Sequence, residues 1–333
     1  MKEKEQRSLL RISQLGMTVI RLLSPEWSHR IALEGLKLLN STGIKLVVEN
    51  QSSKPVEFLG LKFKNRLGLS GGLDKNGDFI EALSSLGFGF IELGTVTPRP
   101  QKGNKKPRLF RDTKNLSLLN RMGFNNKGVE YLASKVKESK TSCQLAISIS
   151  KNFDTPNNKA IHDYLFCLEK AYPVCNFVTI NISSPNTKDL RSLQNPKEMA
   201  DLLYALKEKQ LFLSQLYGYK PLLIKISPDE DEQRLVEISK IVLSNEIDGL
   251  IATNTTINHK NLKGKGGMSG KPLFAQSTKV LKLMRKSLGK EFPIIASGGV
   301  TDTKTYKEKI AGGADLVQIY TGMIFKGPNL VQD

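Results

Sequence analysis

The sequence predicts an α/β fold, a (β/α)8 barrel (TIM barrel) preceded by a small N-terminal helical extension. Three observations carry that expectation. Eight apolar runs rich in β-branched residues lie between Arg66 and Tyr320, and helical patterns alternate with them. The runs read as nearly continuous apolar stretches, as parallel strands covered on both faces do. A length of 333 residues suits one large barrel with an extension. A doubly wound open sheet is the structural alternative, but the glycine fingerprint that it carries after its first strand is missing.

The elements follow in order. Leu9, Ile12, Leu15, Val19, Leu22 and Leu23 recur at steps of mostly three and four, which predicts an amphipathic helix over Leu9–Leu23. Ser24-Pro25-Glu26 ends it and starts a second helix, with Ser24 as N-cap and Pro25 in its first turn. That helix carries Ile31, Leu33, Leu36, Leu38 and Leu39 and ends near Asn40-Ser41-Thr42-Gly43. The polar stretch Glu49–Pro55 reads as a linker and divides the chain into an extension, residues 1–50, and a barrel, residues 51–333. Val56–Phe63 alternates around Gly60 and predicts a hairpin closing the barrel bottom. Strands are expected at Arg66–Ser70, Phe88–Leu93, Gln144–Ile149, Phe177–Asn181, Leu222–Ile226, Gly249–Thr253, Pro293–Ser297 and Leu316–Tyr320. Helices are expected at Asp78–Leu86, Asn157–Ala171, Met199–Leu216, Asp231–Asn245, Ser277–Leu288 and Thr303–Ala311.

Composition narrows the function classes. With 39% hydrophobic and 25% charged residues the chain has the profile of a globular protein. Three cysteines with no C-x-x-C pair exclude a disulfide scaffold and a zinc ribbon, and suit a reducing compartment. A net charge of +18 favours phosphates, anionic lipid surfaces or acidic small molecules without choosing among them. No apolar run approaches the ~20 residues needed to span a bilayer, and no small-residue cleavage site follows an apolar core. The three histidines, His29, His162 and His259, have no ligand spacing and none lies at a strand end. That argues against a metal site and a Ser-His-Asp hydrolase.

Barrel active sites form at strand C-termini, so the residues just past each strand matter most. Here they bring lysines (Lys75, Lys151, Lys225), asparagines and hydroxyls together with almost no acid, which suits a planar, anionic, amide-rich ligand. Gly298-Gly299 and Thr321-Gly322 follow strands seven and eight, where barrels commonly hold phosphate. A flavin mononucleotide would fill such a mouth. Lys225 at a buried strand end would be costly unpaired, which points to a bound anion. Lys75 follows Asp74, and a local ion pair is its alternative reading.

The motifs GLSGGLDKNG (68–77), ELGTVTPRPQKGNKKPRLFR (92–111), NRMGFNNKG (120–128), NISSPNT (181–187), IATNTT (251–256), GGMSGKPL (266–273) and LVQIYTGMIFKGP (316–328) resemble the quinone-dependent, membrane-associated class of the dihydroorotate dehydrogenase family. The resemblance runs from about Leu15 to the C-terminus. It implies FMN in the barrel and oxidation of (S)-dihydroorotate to orotate in pyrimidine (UMP) biosynthesis. Electrons would pass to a membrane quinone. It implies FMN contacts at Gly71, Gly72, Lys75, Thr95, Ser148, Asn181, Lys225, Thr253, Gly270, Gly299, Tyr320 and Thr321. Substrate contacts would be Lys75, Asn120, Arg121, Met122, Gly123, Phe124, Asn181, Asn186, Asn254 and Thr255. Ser184 would be the base, where the soluble class carries Cys. The helical extension would form a hood on an anionic lipid surface, with His29 and Arg108 at the end of a quinone tunnel. The implied location is the cytoplasmic face of a bacterial inner membrane, as a peripheral protein.

Two departures from the family stand out. Ser148 occupies a position where Asn is usual, and the family's last helix runs somewhat beyond Asp333, which implies either a less complete barrel closure or a trimmed chain. Two rival functions differ in class. One is a flavin-dependent dihydropyrimidine or dihydrouridine reductase, disfavoured by the pairing of NRMGFN with NISSPNT. The other is a basic nucleic-acid-binding protein, which would need a basic stripe interleaved with aromatics that the chain lacks.

Overall fold

The computed structural model describes residues 20, 22–43, 54–259, 264–327 and 330. Most of the predicted helix Leu9–Leu23 and most of the linker Glu49–Pro55 lie outside them. Helix α1, Pro25–Ser41, starts at the proline as expected. Ser24 caps it with its backbone alone: its side chain makes no capping bond, while the Ser28 hydroxyl donates back to Ser24 O at 3.0 Å and Ile20 O at 2.7 Å.

A hairpin, β1 (Val56–Phe58) and β2 (Leu61–Phe63), precedes the barrel. The barrel strands are β3 (Leu67–Leu69), β4 (Phe90–Val96), β7 (Gln144–Ile149), β8 (Phe177–Asn181), β9 (Leu222–Ile226), β10 (Gly249–Ala252), β12 (Ile294–Ser297) and β13 (Leu316–Ile319). They form a closed parallel barrel in chain order, and β13 pairs with β3 to complete it. The closure is therefore complete, against the first of the two readings drawn from the C-terminus. Helices α2 (Ile80–Ser84), α3 (Val129–Glu138), α4 (Ala160–Ala171), α5 (Pro196–Tyr217), α6 (Glu232–Ser244), α7 (Phe274–Leu288) and α8 (Thr303–Ala311) lie between the strands, and α9 (Thr321–Lys326) follows the last one. Helix α3 was not among the expected elements, although Val129, Leu132 and Val136 mark its buried face.

Three short strands were also unforeseen: β5 (Leu109–Asp112), β6 (Ser117–Asn120) and β11 (Gly267–Gly270). They pair antiparallel in the order β11-β6-β5, with Asn120 opposite Gly267. At four residues each they are too short to show a clear alternation.

The bottom of the barrel is plugged by Phe90, Ala146, Phe177, Leu223, Ile251, Ile295 and Leu316, which pack with Phe58 and Phe63 of the hairpin. Phe63 meets the Phe90 ring edge-on at 5.8 Å between centroids. Gly68 completes the ring of strands, because a Cβ there would lie 2.2 Å from the Phe90 ring. The predicted hairpin thus seals the barrel floor, and the opposite end is left for chemistry.

Candidate active site

Side chains on a strand return to the same face every second residue. Stepping up two from each plug residue reaches Glu92, Ser148, Thr179, Lys225, Thr253, Ser297 and Gln318, all polar and all buried. This polar layer underlies a cleft of about 1000 Å³, counting its open mouth, at the strand C-termini. Glu92, Lys225, Thr253, Ser297 and Gln318 line it, with Ser70 from the end of β3.

The layer carries an acid that the sequence reading of the mouth missed. Lys225 Nζ stands 3.3 Å from Glu92 Oε1 and 3.2 Å from Ser70 Oγ. Lys225 is paired within the protein, so it does not depend on a bound anion for its only counter-charge. Both amide atoms of Gln318 are buried without a partner. An unsatisfied buried polar group costs about 1–3 kcal/mol, which a ligand with a polar edge would recover.

Above the layer, asparagines are fixed by one another. Asn181 Nδ2 donates to Thr95 Oγ1 at 2.8 Å, and Asn254 Nδ2 donates to Asn181 Oδ1 at 3.1 Å. Asn186 Nδ2 donates to Asn120 Oδ1 at 2.9 Å across the mouth. Ser184 is buried beside them, and its Oγ accepts the Asn186 N–H at 3.3 Å. Arg191 holds this segment in place, donating to Ser183 O at 3.0 Å and Thr255 O at 2.9 Å and pairing with Asp229 at 2.7 Å. Neither Arg191 nor Asp229 was anticipated, since both act from behind the mouth.

Lys75 does not pair with Asp74. The Asp74 carboxylate accepts the N–H groups of Asn76, Gly77, Asp78 and Phe79, while Lys75 Nζ donates to Gly72 O at 2.8 Å. Burial, with the Arg108 charge nearby, lowers Lys75 to about 8. Lys75 and Met122 also line a second cavity of about 1950 Å³ between α1 and the barrel rim. His29 and Arg108 lie on that cavity. Arg108 is buried; it donates to Glu26 of α1 at 2.9 Å and to Lys102 O at 2.7 Å and Asn104 O at 3.0 Å. Burial, then the Lys75 charge, pushes His29 down to about 4.

Of the residues expected on the cofactor, Gly71, Gly72, Lys75, Thr95, Asn181, Lys225, Thr253, Gly270, Gly299, Tyr320 and Thr321 line the cleft. Ser148 does not: its short side chain ends on Thr95 Oγ1 at 2.8 Å, behind the lining. Of the expected substrate contacts, Asn120, Met122, Gly123, Phe124, Asn186, Asn254 and Thr255 line it, as does Ser184. Arg121 is turned away, donating to Pro107 O at 2.8 Å and stacking over Phe110. Among the described residues no group of His, Cys, Asp and Glu side chains can hold a metal ion.

A closed barrel with a polar cleft at its strand ends, joined at Lys75 to a cavity under an added helix, defines an enzyme of the barrel class with two adjoining ligand spaces. A model of the dihydroorotate dehydrogenase family matches residues 53–333. The chain is 47% identical over 333 residues to a dihydroorotate dehydrogenase (quinone) of Aliivibrio fischeri (strain MJ11), covering 98% of each. It is 48% identical over 319 residues to that of Vibrio vulnificus (strain YJ016), covering 93% of this chain and 95% of the relative. The DHODH of Eimeria tenella in complex with ferulenol has the same fold, with a TM-score of 0.84 at 32% identity over 92% of this chain and 89% of its own. The ligand-free form gives 0.82 at 33% identity over 91% of each chain. The chain belongs to the dihydroorotate dehydrogenase family, in its quinone-dependent class.

The His29 shift has a signed consequence. Its ordinary value is 6.5 and its folded value about 4, so between them the unfolded chain holds a proton that the fold does not. Stability must therefore fall as pH drops from 6.5 towards 4. Urea unfolding at several pH values should show a shallower decline for His29→Gln than for the wild type. Identical slopes would place the imidazole in water.

Proposed function

We propose that the chain oxidises dihydroorotate to orotate with FMN and passes the electrons to a quinone. The observation that carries this reading is the junction of the two cavities at Lys75 and Met122: one space sits on the polar layer, the other opens beneath α1. A dehydrogenase with separate donor and acceptor sites needs that arrangement.

The residues fit an FMN. Gln318 offers an unpartnered amide from the floor. Gly72, at φ +104, leaves room: an added Cβ would meet only the Tyr320 ring, at 3.6 Å. Gly270 and Gly299 are closed on their other sides, where a Cβ would lie 2.1 Å from Leu116 O and 2.3 Å from Phe274 Cα, so their backbones form the cleft wall. Lys225, Asn181 and Thr253 would hold the flavin ring, and Gly270, Gly299, Tyr320 and Thr321 the phosphate end. Bound FMN supplies a two-electron acceptor for the hydride leaving C6 of dihydroorotate.

The chain's own groups do the rest. Asn120, Asn186, Asn254 and Asn181 present amides already fixed in direction, so little order is lost when they grip a planar ring amide and its carboxylate. Lys75 adds a cation whose proton is held below about pH 8. Ser184 takes the C5 proton, so that proton and hydride together account for the two hydrogens lost. Ser184 is buried at the edge of the cleft, and Thr187, three residues on, has a buried hydroxyl with no protein partner that would relay the proton outward through water. The quinone, with two electrons and two protons, leaves as quinol.

The extension, residues 1–50, serves as a peripheral anchor for the barrel, residues 51–333, on an anionic lipid surface at the cytoplasmic face of a bacterial inner membrane. Among the described residues no helix is long and apolar enough to cross a membrane. Helix α1 buries Leu33 in the barrel's outer core but exposes Trp27, Ile31 and Leu38, at 58%, 40% and 68%. Steps of four and seven place these three on one face. Trp27 also lines the second cavity, and Leu22, just before the helix, is 86% exposed.

Two outcomes test these roles. Ser184→Ala should keep its flavin and slow anaerobic flavin reduction by dihydroorotate about 10²–10⁴-fold, the worth of a positioned base; a wild-type rate across pH would remove Ser184 from the chemistry. A Trp27→Ser, Ile31→Ser, Leu38→Ser variant should reduce its flavin normally and lose sedimentation with vesicles containing anionic lipid. Undiminished vesicle binding would show that this face does not meet the membrane.

A further inference from the structure

Lys309 on α8 is a buried cation that the reaction does not use. It is 0% exposed, and its Nζ donates to Ser277 Oγ on α7 at 2.7 Å and lies 5.1 Å from the centre of the Phe274 ring. Among the described residues no carboxylate pairs with it. The charged groups on the packed elements are committed elsewhere: Arg285 of α7 pairs with Asp315 and Lys279 with Glu232, while Lys307 and Glu308 on α8 are exposed. A lone buried ammonium is costly unless something answers its charge. Burial alone accordingly lowers it to about 7.

What lies beyond Ser277 supplies the answer. Ser277 Oγ has two acceptors for its proton, Gly298 O at 2.9 Å and Phe274 O at 3.1 Å, of which Gly298 O is the nearer, and Gly298 and Gly299 line the cleft where the phosphate end of the cofactor is placed above. In a trans peptide the Gly299 N–H points opposite to the Gly298 carbonyl. Among the described residues that N–H meets no backbone acceptor. The chain of Lys309, Ser277 and the 298–299 peptide therefore ends in a donor polarised by a cation two hydrogen bonds behind it. The N-terminal end of α7, whose Phe274 packs against Gly299, adds positive potential to the same loop.

We propose that Lys309 is a positioning and charge-supplying residue for the phosphoryl group, the dianion being the counter-charge that the protein itself omits, and that it sets the preference for the phosphorylated flavin over riboflavin. This rests on the FMN reading and deepens it. The phosphate interacts with Lys309 through the Gly298–Gly299 peptide without touching it, and riboflavin, lacking the phosphate, gains nothing from it.

The test titrates apoprotein with FMN and with riboflavin by flavin fluorescence. Lys309→Met should weaken FMN by about tenfold or more, the scale of a charge interaction at partly buried sites, and leave riboflavin unchanged. Ser277→Ala should lose part of the same preference. Equal weakening of both flavins, or an unchanged ratio, would overturn the proposal. A wild type that itself fails to prefer FMN would instead refute the placement of the phosphate at this loop. If Lys309→Met does not fold, calorimetry on the wild type at pH 7.5 decides: FMN binding should take up a fraction of a proton, because the dianion restores the charge on Lys309, and riboflavin should take up none. No difference in proton uptake between the two would also overturn it.

Discussion

The alternation of side chains along eight inward-facing strands is the constraint on which the rest depends. Because the period is two, the same strands that deliver Phe90, Phe177, Leu223 and Leu316 to the plug deliver Glu92, Thr179, Lys225 and Gln318 one layer higher. A register slip of one residue in any strand would send its polar group outward into the helix layer and an outward residue into the barrel. The apolar layer fixes the register, and the register aims the polar layer. The Lys225–Glu92 pair shows what this achieves: two charges from strands on opposite parts of the barrel meet at 3.3 Å in a space that water scarcely enters. Such a pair is a poor source of stability, since desolvation offsets most of its attraction. Its value lies in presenting a cation of fixed position to the cleft.

The added helix is tied to this barrel by a second buried pair. Arg108 reaches Glu26 of α1 while its remaining N–H groups are held by the carbonyls of Lys102 and Asn104. Barrel rim and helix are thereby kept apart at a distance that leaves the second cavity open, with His29 neutral at its wall above pH about 4. Lys75 belongs to both spaces. Its lowered value, near 8, comes from being enclosed between them beside Arg108, so the same crowding that joins the two sites weakens the hold on its proton.

Much of this was legible in the sequence because barrel strands and strand ends obey simple rules. Gln144–Ile149, Phe177–Asn181 and Leu222–Ile226 fall where their apolar runs put them, and residues just past other barrel strands, such as Gly71, Gly72, Asn254, Gly298, Gly299 and Thr321, line much of the cleft. Glu92 and Gln318 were hidden because they sit inside runs such as FIELG and LVQIY, where attention falls on the apolar residues. The signal was present all the same: a lone polar residue within a buried strand, the rule that singled out Lys225 in LLIKI. Ser148 and Arg121 were carried over by motif position, and the structure turns one into a partner of Thr95 and the other outward onto Phe110. Motif matching gives the place of a residue along the chain, but side-chain length and backbone direction decide where its polar atoms arrive. The β5–β6–β11 sheet escaped because pairing between distant four-residue segments leaves no local pattern.

The central claim is that one chain joins a donor site on the polar layer to an acceptor site under α1. Anaerobic addition of dihydroorotate to the purified holoenzyme, followed by a quinone, tests it in a single visible-absorbance trace. The account predicts that the flavin band bleaches with dihydroorotate and returns when quinone is added. A band that ignores dihydroorotate, or one that bleaches and is not restored by quinone, would contradict it.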